Sequence, residues 1–231
     1  MPADGLHPLA AATQTYLDAH FCDASVLAES AGIPETTLEG LVAAGMVPQP
    51  AYVVAGDTLV SAAFGPLDCN GLRPGQYHRK AAAPWAVRAA AFGGDAAQAF
   101  ELELRAELAA ALRTAHSDIF PLDDAFDEQG RAIQDGLDKR LDSMVRAYRK
   151  GVFSICIADL PSSEGIVRKE VLQEKLTHLT GGGSRLPPNL PPRTLATEID
   201  AYADAAMPFT PREYPVTSRK RLVEDLKALL A

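Results

Sequence analysis

The first 72 residues contain no lysine and no arginine. They do contain eight acids: Asp4, Asp18, Asp23, Glu29, Glu35, Glu39, Asp57 and Asp68. Affinity for duplex nucleic acid comes largely from Lys and Arg displacing counterions from phosphates. A segment with none offers a nucleic-acid backbone repulsion. Cysteine is also scarce: Cys22, Cys69 and Cys156 are odd in number and widely spaced. That pattern fits reduced thiols in a cytoplasmic setting better than a disulfide framework. No apolar run approaches the ~18 to 20 residues of a membrane-crossing helix. No basic segment leads into an apolar stretch at the start, so no signal peptide is expected. Aromatic residues make up 6% of the chain, with one tryptophan.

What is present begins with a pattern at odds with that charge. Residues 24 to 43 read ASVLAESAGIPETTLEGLVA. A helix-turn-helix needs a small residue where the helices cross, here Ala28. Four positions later it needs a residue tolerant of positive φ, here Gly32. Leu27, Ala31, Ile33, Leu38 and Leu41 fall on the side of a shared core. Pro34 suits the start of the second helix, and Gly45 suits its end. After a Pro-marked exit, AYVV and TLVSAAF flank Gly56-Asp57 and predict a β-hairpin. This order resembles the N-terminal part of MerR-type regulators, a winged helix-turn-helix.

The second helix of that pair presents Glu35, Thr36 and Glu39 to whatever it meets. The charge predicts a partner-facing acidic surface, with another protein favoured over nucleic acid and no membrane involved. A homodimer is left open as an assembly.

The net charge of −8 resides in the N-terminal 72 residues, and the remaining acids and bases balance at 22 each. Composition and length fit an ordinary globular protein with a boundary near residue 72: an acidic module at 1–72 and a helical body at 73–231. Helices are expected over 13–21, 76–92, 95–116, 124–149, 163–180, 194–207 and 218–230. Phe100, Leu104, Leu108, Ala111 and Leu112 make an apolar stripe at helical spacing. Residues 65–75, rich in Gly and Pro, read as a connection. VFSICIA predicts a short strand near 152–158. GGGSRLPPNLPPR at 181–193 reads as a loop. The fold class expected is therefore mainly α, a winged helix-turn-helix-like module followed by a helical body with one or two strands.

Candidate chemistry is sparse. Asp123, Asp124 and Asp127 match a DDxxD motif, in which carboxylates hold Mg²⁺ against a diphosphate. A second metal motif is missing, and acids also favour helix N-termini. His20 with Cys22, and Cys69 with His78, lack zinc-ligand spacing. Gly181 to Ser184 lacks the lysine of a phosphate loop. No cofactor, metal or catalytic residue is expected. Arg168, Lys169, Arg212, Arg219, Lys220 and Arg221 form a basic set that reads as an anion clamp, a solvated face, or a dock for the acidic module.

The chain also resembles an uncharacterised bacterial family loosely labelled a natural product biosynthesis protein. The resemblance rests on Gly151 to Cys156, Arg168-Lys169-Glu170, Phe209 to Glu213 and Ser218 to Val223, with residues 21–52 resembling the family's start. Ala51 stands where that family suggests a serine, and Arg212 where it suggests a histidine. The label implies association with a biosynthetic pathway, not a reaction. The leading expectation is a non-catalytic accessory or interaction protein. The alternatives are a DNA-binding transcriptional regulator and a small-molecule binder or enzyme with a pocket in the body.

Overall fold

A computed structural model describes residues 8–93 and 96–231. Of the acids named above, Asp4 lies outside the described residues, as does the expected helix start at residue 95. The chain is mainly helical, with one five-stranded antiparallel sheet.

It divides into two compact units. One comprises Met1–Leu102, Arg146–Ile155 and Phe209–Glu213; the other comprises Glu103–Val145, Cys156–Pro208 and Tyr214–Ala231. The expected boundary at residue 72 is not where the chain divides. The reason is the sheet, which extends beyond that point.

In the first unit, α1 (Pro8–His20) leads through β1 (Phe21–Cys22) to α2 (Ala24–Ala31) and α3 (Glu35–Ala43). Asp23 caps α2 by accepting from the Val26 N–H. Gly32, at φ 67°, ends α2 in the left-handed conformation and accomplishes the turn. Leu27, Ala28, Ala31, Leu38 and Leu41 are buried. Pro34 caps α3 from just outside it. β2 (Tyr52–Ala55) and β3 (Thr58–Ser61) pair antiparallel around Gly56, as the runs flanking Gly56-Asp57 predict. β4 (Gly65–Asp68) pairs with β3, and β5 (Gly75–Arg79) pairs with β2 and with β1. The sheet order is β1-β5-β2-β3-β4.

Two expectations fail here. Residues 65–68 are a strand rather than a connection, and residues 75–79 are a strand rather than the start of a helix. A single short run such as GQYHR carries no strand pattern of its own. Its state is set by β2 and β1, which lie far from it in sequence. The helix expected over 76–92 is confined to α4 (Ala83–Phe92). Trp85 of α4 packs with Tyr148 and Phe100, at ring separations of 5.2 and 6.3 Å. The Tyr148 hydroxyl donates to the Met46 carbonyl at 2.8 Å, fixing the exit from α3.

In α5 (Ala97–Asp118) the whole predicted stripe is buried. α6 (Gln134–Arg149) starts ten residues later than expected. Gly130, at φ 70°, and the Phe126–Ala132 bridge turn the chain before it. Asp127 accepts from the N–H groups of Gln129 and Arg131, holding that turn.

The strand expected near 152–158 is corrected to a helix: α7 spans Val152–Cys156. Periodicity cannot separate a short buried helix from a strand. Only Ile157 pairs, in a single bridge to Ala206. The second unit also holds α8 (Ser163–Thr180) and α9 (Pro192–Ala205). The terminal helix is a π-helical stretch over Lys220–Asp225 that becomes α10 (Leu226–Leu230). Leu172, Leu176, Leu195, Ile199, Tyr202, Leu222 and Leu226 form one core.

Candidate functional site

The solvent face of α3 consists of Glu35, Thr36, Thr37, Glu39 and Gly40, all exposed. The face exists because Leu38 and Leu41, three apart, turn inward and leave these positions outside. No side chain on α2 or α3 is basic. Among the bases of the same unit, Arg73 pairs with Asp18, and Arg149 pairs with Glu101 at 2.7 Å. Lys80 donates to the Asp18 carbonyl at 2.6 Å. Arg88 lies over the rings of Trp85 and Phe100. Arg79 is buried, and that burial lowers its pKa. Arg146 and Lys150 stay exposed, but they belong to the end of α6 and the residue after it.

A depression of about 220 Å³ runs beside α3, with Glu39 and His78 among its lining residues. His78 is 4% exposed. Burial pushes its imidazole down to about 4 from the ordinary 6.5, against a smaller opposing pull from Asp23. The folded chain thus holds His78 neutral, while the unfolded chain charges it below pH 6.5. The stability this contributes is present above pH 6.5 and is lost as pH falls toward 4. Its full size is about 3 kcal/mol. Urea midpoints measured from pH 7 to pH 4 are expected to fall, and His78→Asn is expected to flatten that slope. An unchanged slope in the variant would refute the assignment.

The basic residues singled out in the sequence have these individual partners. Arg212 falls in the first unit by itself, with a buried Nε. Arg219 donates to the carbonyls of Ala203 and Ala206 at 2.5 and 2.6 Å, capping the end of α9. Arg221 donates to the Gly182 carbonyl at 2.6 Å. Lys220 pairs with Glu224 and Asp225. Arg168 is exposed. Lys169 is buried, and its ammonium donates to Glu170 and Gln173, both at 2.8 Å.

Lys169 belongs to a polar node that residue patterns do not reveal. Burial opposes its charge, but the Glu170 carboxylate that accepts from it, joined by Cys156 and Tyr202 where those ionise, outweighs burial and raises its pKa above the ordinary lysine value. Burial pushes the Cys156 thiol up to about 11, although Lys169 pulls the other way. The pair is therefore a neutral thiol beside a charged amine. The Tyr202 hydroxyl completes the node by donating to Ser218 Oγ at 2.7 Å. Glu170 and Gln173 also border a cleft of about 520 Å³ with Arg140 and His178. Arg140 is engaged there by Asp124 and Glu174. The DDxxD residues consequently act in turns and ion pairs: Asp124 binds Arg140 and Asp127 binds Arg131. Among the described residues no group of three His, Cys, Asp or Glu is placed to hold a metal ion.

Thiol chemistry gives a direct check on this geometry. Cys22 is half-buried, whereas Cys69 and Cys156 are buried. Maleimide on the native protein is expected to label Cys22 alone, with all three labelled in denaturant. Native labelling of Cys156 would contradict the buried node.

The second node lies in the first unit. Glu213 is fully buried, and its Oε2 accepts from the Tyr52 hydroxyl at 2.7 Å and from Thr210 Oγ1 at 2.8 Å. Its Oε1 is buried without a hydrogen-bond partner. Burial, and then the Glu213 charge, raise the Tyr52 pKa well above the usual phenol value. Tyr52 and Glu213 are 161 residues apart, so no local pattern announces their contact.

No curated protein matches the chain, and no solved structure does. A family model described as a family of unknown function (DUF6058) matches residues 98–231. The match covers the Lys169 node entirely and reaches Glu213, but not Tyr52.

Proposed function

Because the chain belongs to that family of unknown function, we propose a role from its surfaces: a non-catalytic accessory protein that contacts another protein. The contact is made through α2 and α3, used as a helix-turn-helix-like module with the β2–β3 hairpin as its wing. The observation that carries this reading is the α3 face. Glu35, Thr36 and Glu39 stand exposed where a DNA-reading helix would carry bases. A carboxylate aimed at a phosphate is repulsive, whereas the same carboxylate is an ordinary ligand for a basic protein surface. The resemblance to natural-product biosynthesis proteins suggests the setting, a biosynthetic pathway in which this protein assists.

A DNA-binding regulator is the second reading, favoured by the Ala28–Gly32 spacing and the hairpin that follows. One titration separates the two. Fluorescence anisotropy of a labelled duplex pool, at low and at physiological salt, is expected to show no binding. Binding that weakens steeply with salt would overturn the protein-contact reading, because that dependence reports phosphate contacts.

A further inference from the structure

β5 is only partly covered on one side. β1 pairs with His78 and Arg79 and then ends, since Asp23 already caps α2. β2 occupies the opposite side of β5 along Gly75–Tyr77. Among the described residues, no strand covers Gly75–Tyr77 on the β1 side. A strand edge left open in this way is a template for another extended chain.

The surface along that edge is concave. A groove of about 480 Å³ runs past Gly75, Gln76 and Tyr77, with Phe21 and Val26 on its wall. Val26 is 42% exposed, so an apolar side chain borders the edge in contact with water. Asp18, Asp23, Arg73 and Lys80 also border the groove: Asp18 and Arg73 pair with each other, Asp23 caps α2, and Lys80 donates to the Asp18 carbonyl.

This groove meets the depression beside α3 at Gln76, which lines both. The depression is walled by Ala24, Leu38, Val42 and Pro50. Glu39 is its only acid or base other than His78, which burial keeps neutral. At about 220 Å³ it is smaller than the ~300 to 1,000 Å³ of small-molecule sites and suits a single side chain. An apolar wall of Ala24, Leu38, Val42 and Pro50, with Gln49 and Gln76 beside it and one carboxylate in the lining, matches an alkyl stem ending in a cation.

We infer that the two grooves form one docking surface for an extended segment of a partner protein carrying a lysine or arginine. The segment adds to the open edge of β5 as a further strand. Its basic side chain enters the α3 depression, lays its stem along Leu38 and Val42, and places its charge at Glu39. This inference rests on the protein-contact reading of α3 and gives that contact a chemistry and a register.

The test uses the full chain, ¹⁵N-labelled, and three peptides. The first is acetyl-Thr-Val-Thr-Lys-Val-Thr-amide; the others carry norleucine or glutamate in place of its lysine. The lysine peptide is expected to move the amide signals of Gly75, Gln76 and Val42. The norleucine peptide should bind at least about tenfold more weakly, and the glutamate peptide weaker still. Glu39→Gln, an exposed substitution, should weaken the lysine peptide by the same factor and leave the norleucine peptide unchanged. Equal binding of the lysine and norleucine peptides overturns the inference, as do shifts confined to other residues or no shift at millimolar peptide. If no peptide binds while a protein still crosslinks at Thr36, the inference fails and the protein-contact reading stands. Failure of both experiments removes both.

Discussion

Glu213→Ala is expected to lower the unfolding free energy by about 3 to 5 kcal/mol. The truncation strands two buried hydroxyls at once, Tyr52 and Thr210, both of which donate to Glu213 Oε2. A buried donor without an acceptor costs about 1 to 3 kcal/mol, and the space vacated by the carboxylate adds to that. Glu213→Gln keeps an acceptor at the same place and is expected to lose about 1 to 2 kcal/mol. The second number matters because it separates the hydrogen bonds from the charge. Urea denaturation of the two variants at pH 7 supplies both values. An alanine variant within 1 kcal/mol of the parent would mean that the Tyr52–Glu213 contact does not anchor Phe209–Glu213 to its unit.

Gly136→Ala is the other substitution with a large expected effect. Gly136 stands in the first turn of α6, where a Cβ would lie 1.7 Å from the Asp124 carbonyl oxygen. Backbone at that distance must move, and the loop of residues 122–127 carries the partners that would move with it. Asp124 binds Arg140 through both carboxylate oxygens, and this hydrogen bonding lowers its pKa. The expected loss is about 3 kcal/mol or more, the upper range for overpacking. Limited proteolysis should show new cleavage within residues 122–133. A loss under 1 kcal/mol with unchanged cleavage would mean that the loop gives way freely.

These two positions also mark where the sequence could be read and where it could not. The α2–α3 pair was legible because every signal in it is local. Its apolar spacing, Gly32 in the left-handed region and the exposed Glu35 and Glu39 all follow from residues within twenty positions of one another. The stripe of α5 and the end of α8 at Gly181 were legible for the same reason. β5 was not. Its residues become a strand because β2 and β1 accept them, and that pairing spans more than 50 positions at Phe21–Arg79. Residues 152–156 misled because a five-residue apolar run fits helix and strand equally. The turn at 124–133 was hidden by good helix formers around Gly130. The Lys169 and Glu213 nodes lie within segments marked by the family resemblance. Their partners Cys156, Tyr202, Ser218 and Tyr52 come together only in three dimensions.

The basic set taught a related lesson. Lysines and arginines that cluster in sequence did not cluster in role. Arg219 and Arg221 spend their donors on backbone carbonyls, and Lys169 spends its own on Glu170 and Gln173. The exposed acids of α3 have no such local use, and this is why the functional proposal rests on them.

The central claim is that the α3 face meets protein. The most direct measurement places a photoreactive benzophenone amino acid at position 36 of the full chain, irradiates intact cells, and identifies what becomes attached. A discrete protein adduct, lost when Glu35 and Glu39 are both replaced by lysine, is the predicted result. Attachment to nucleic acid, or no adduct at all, would contradict the account.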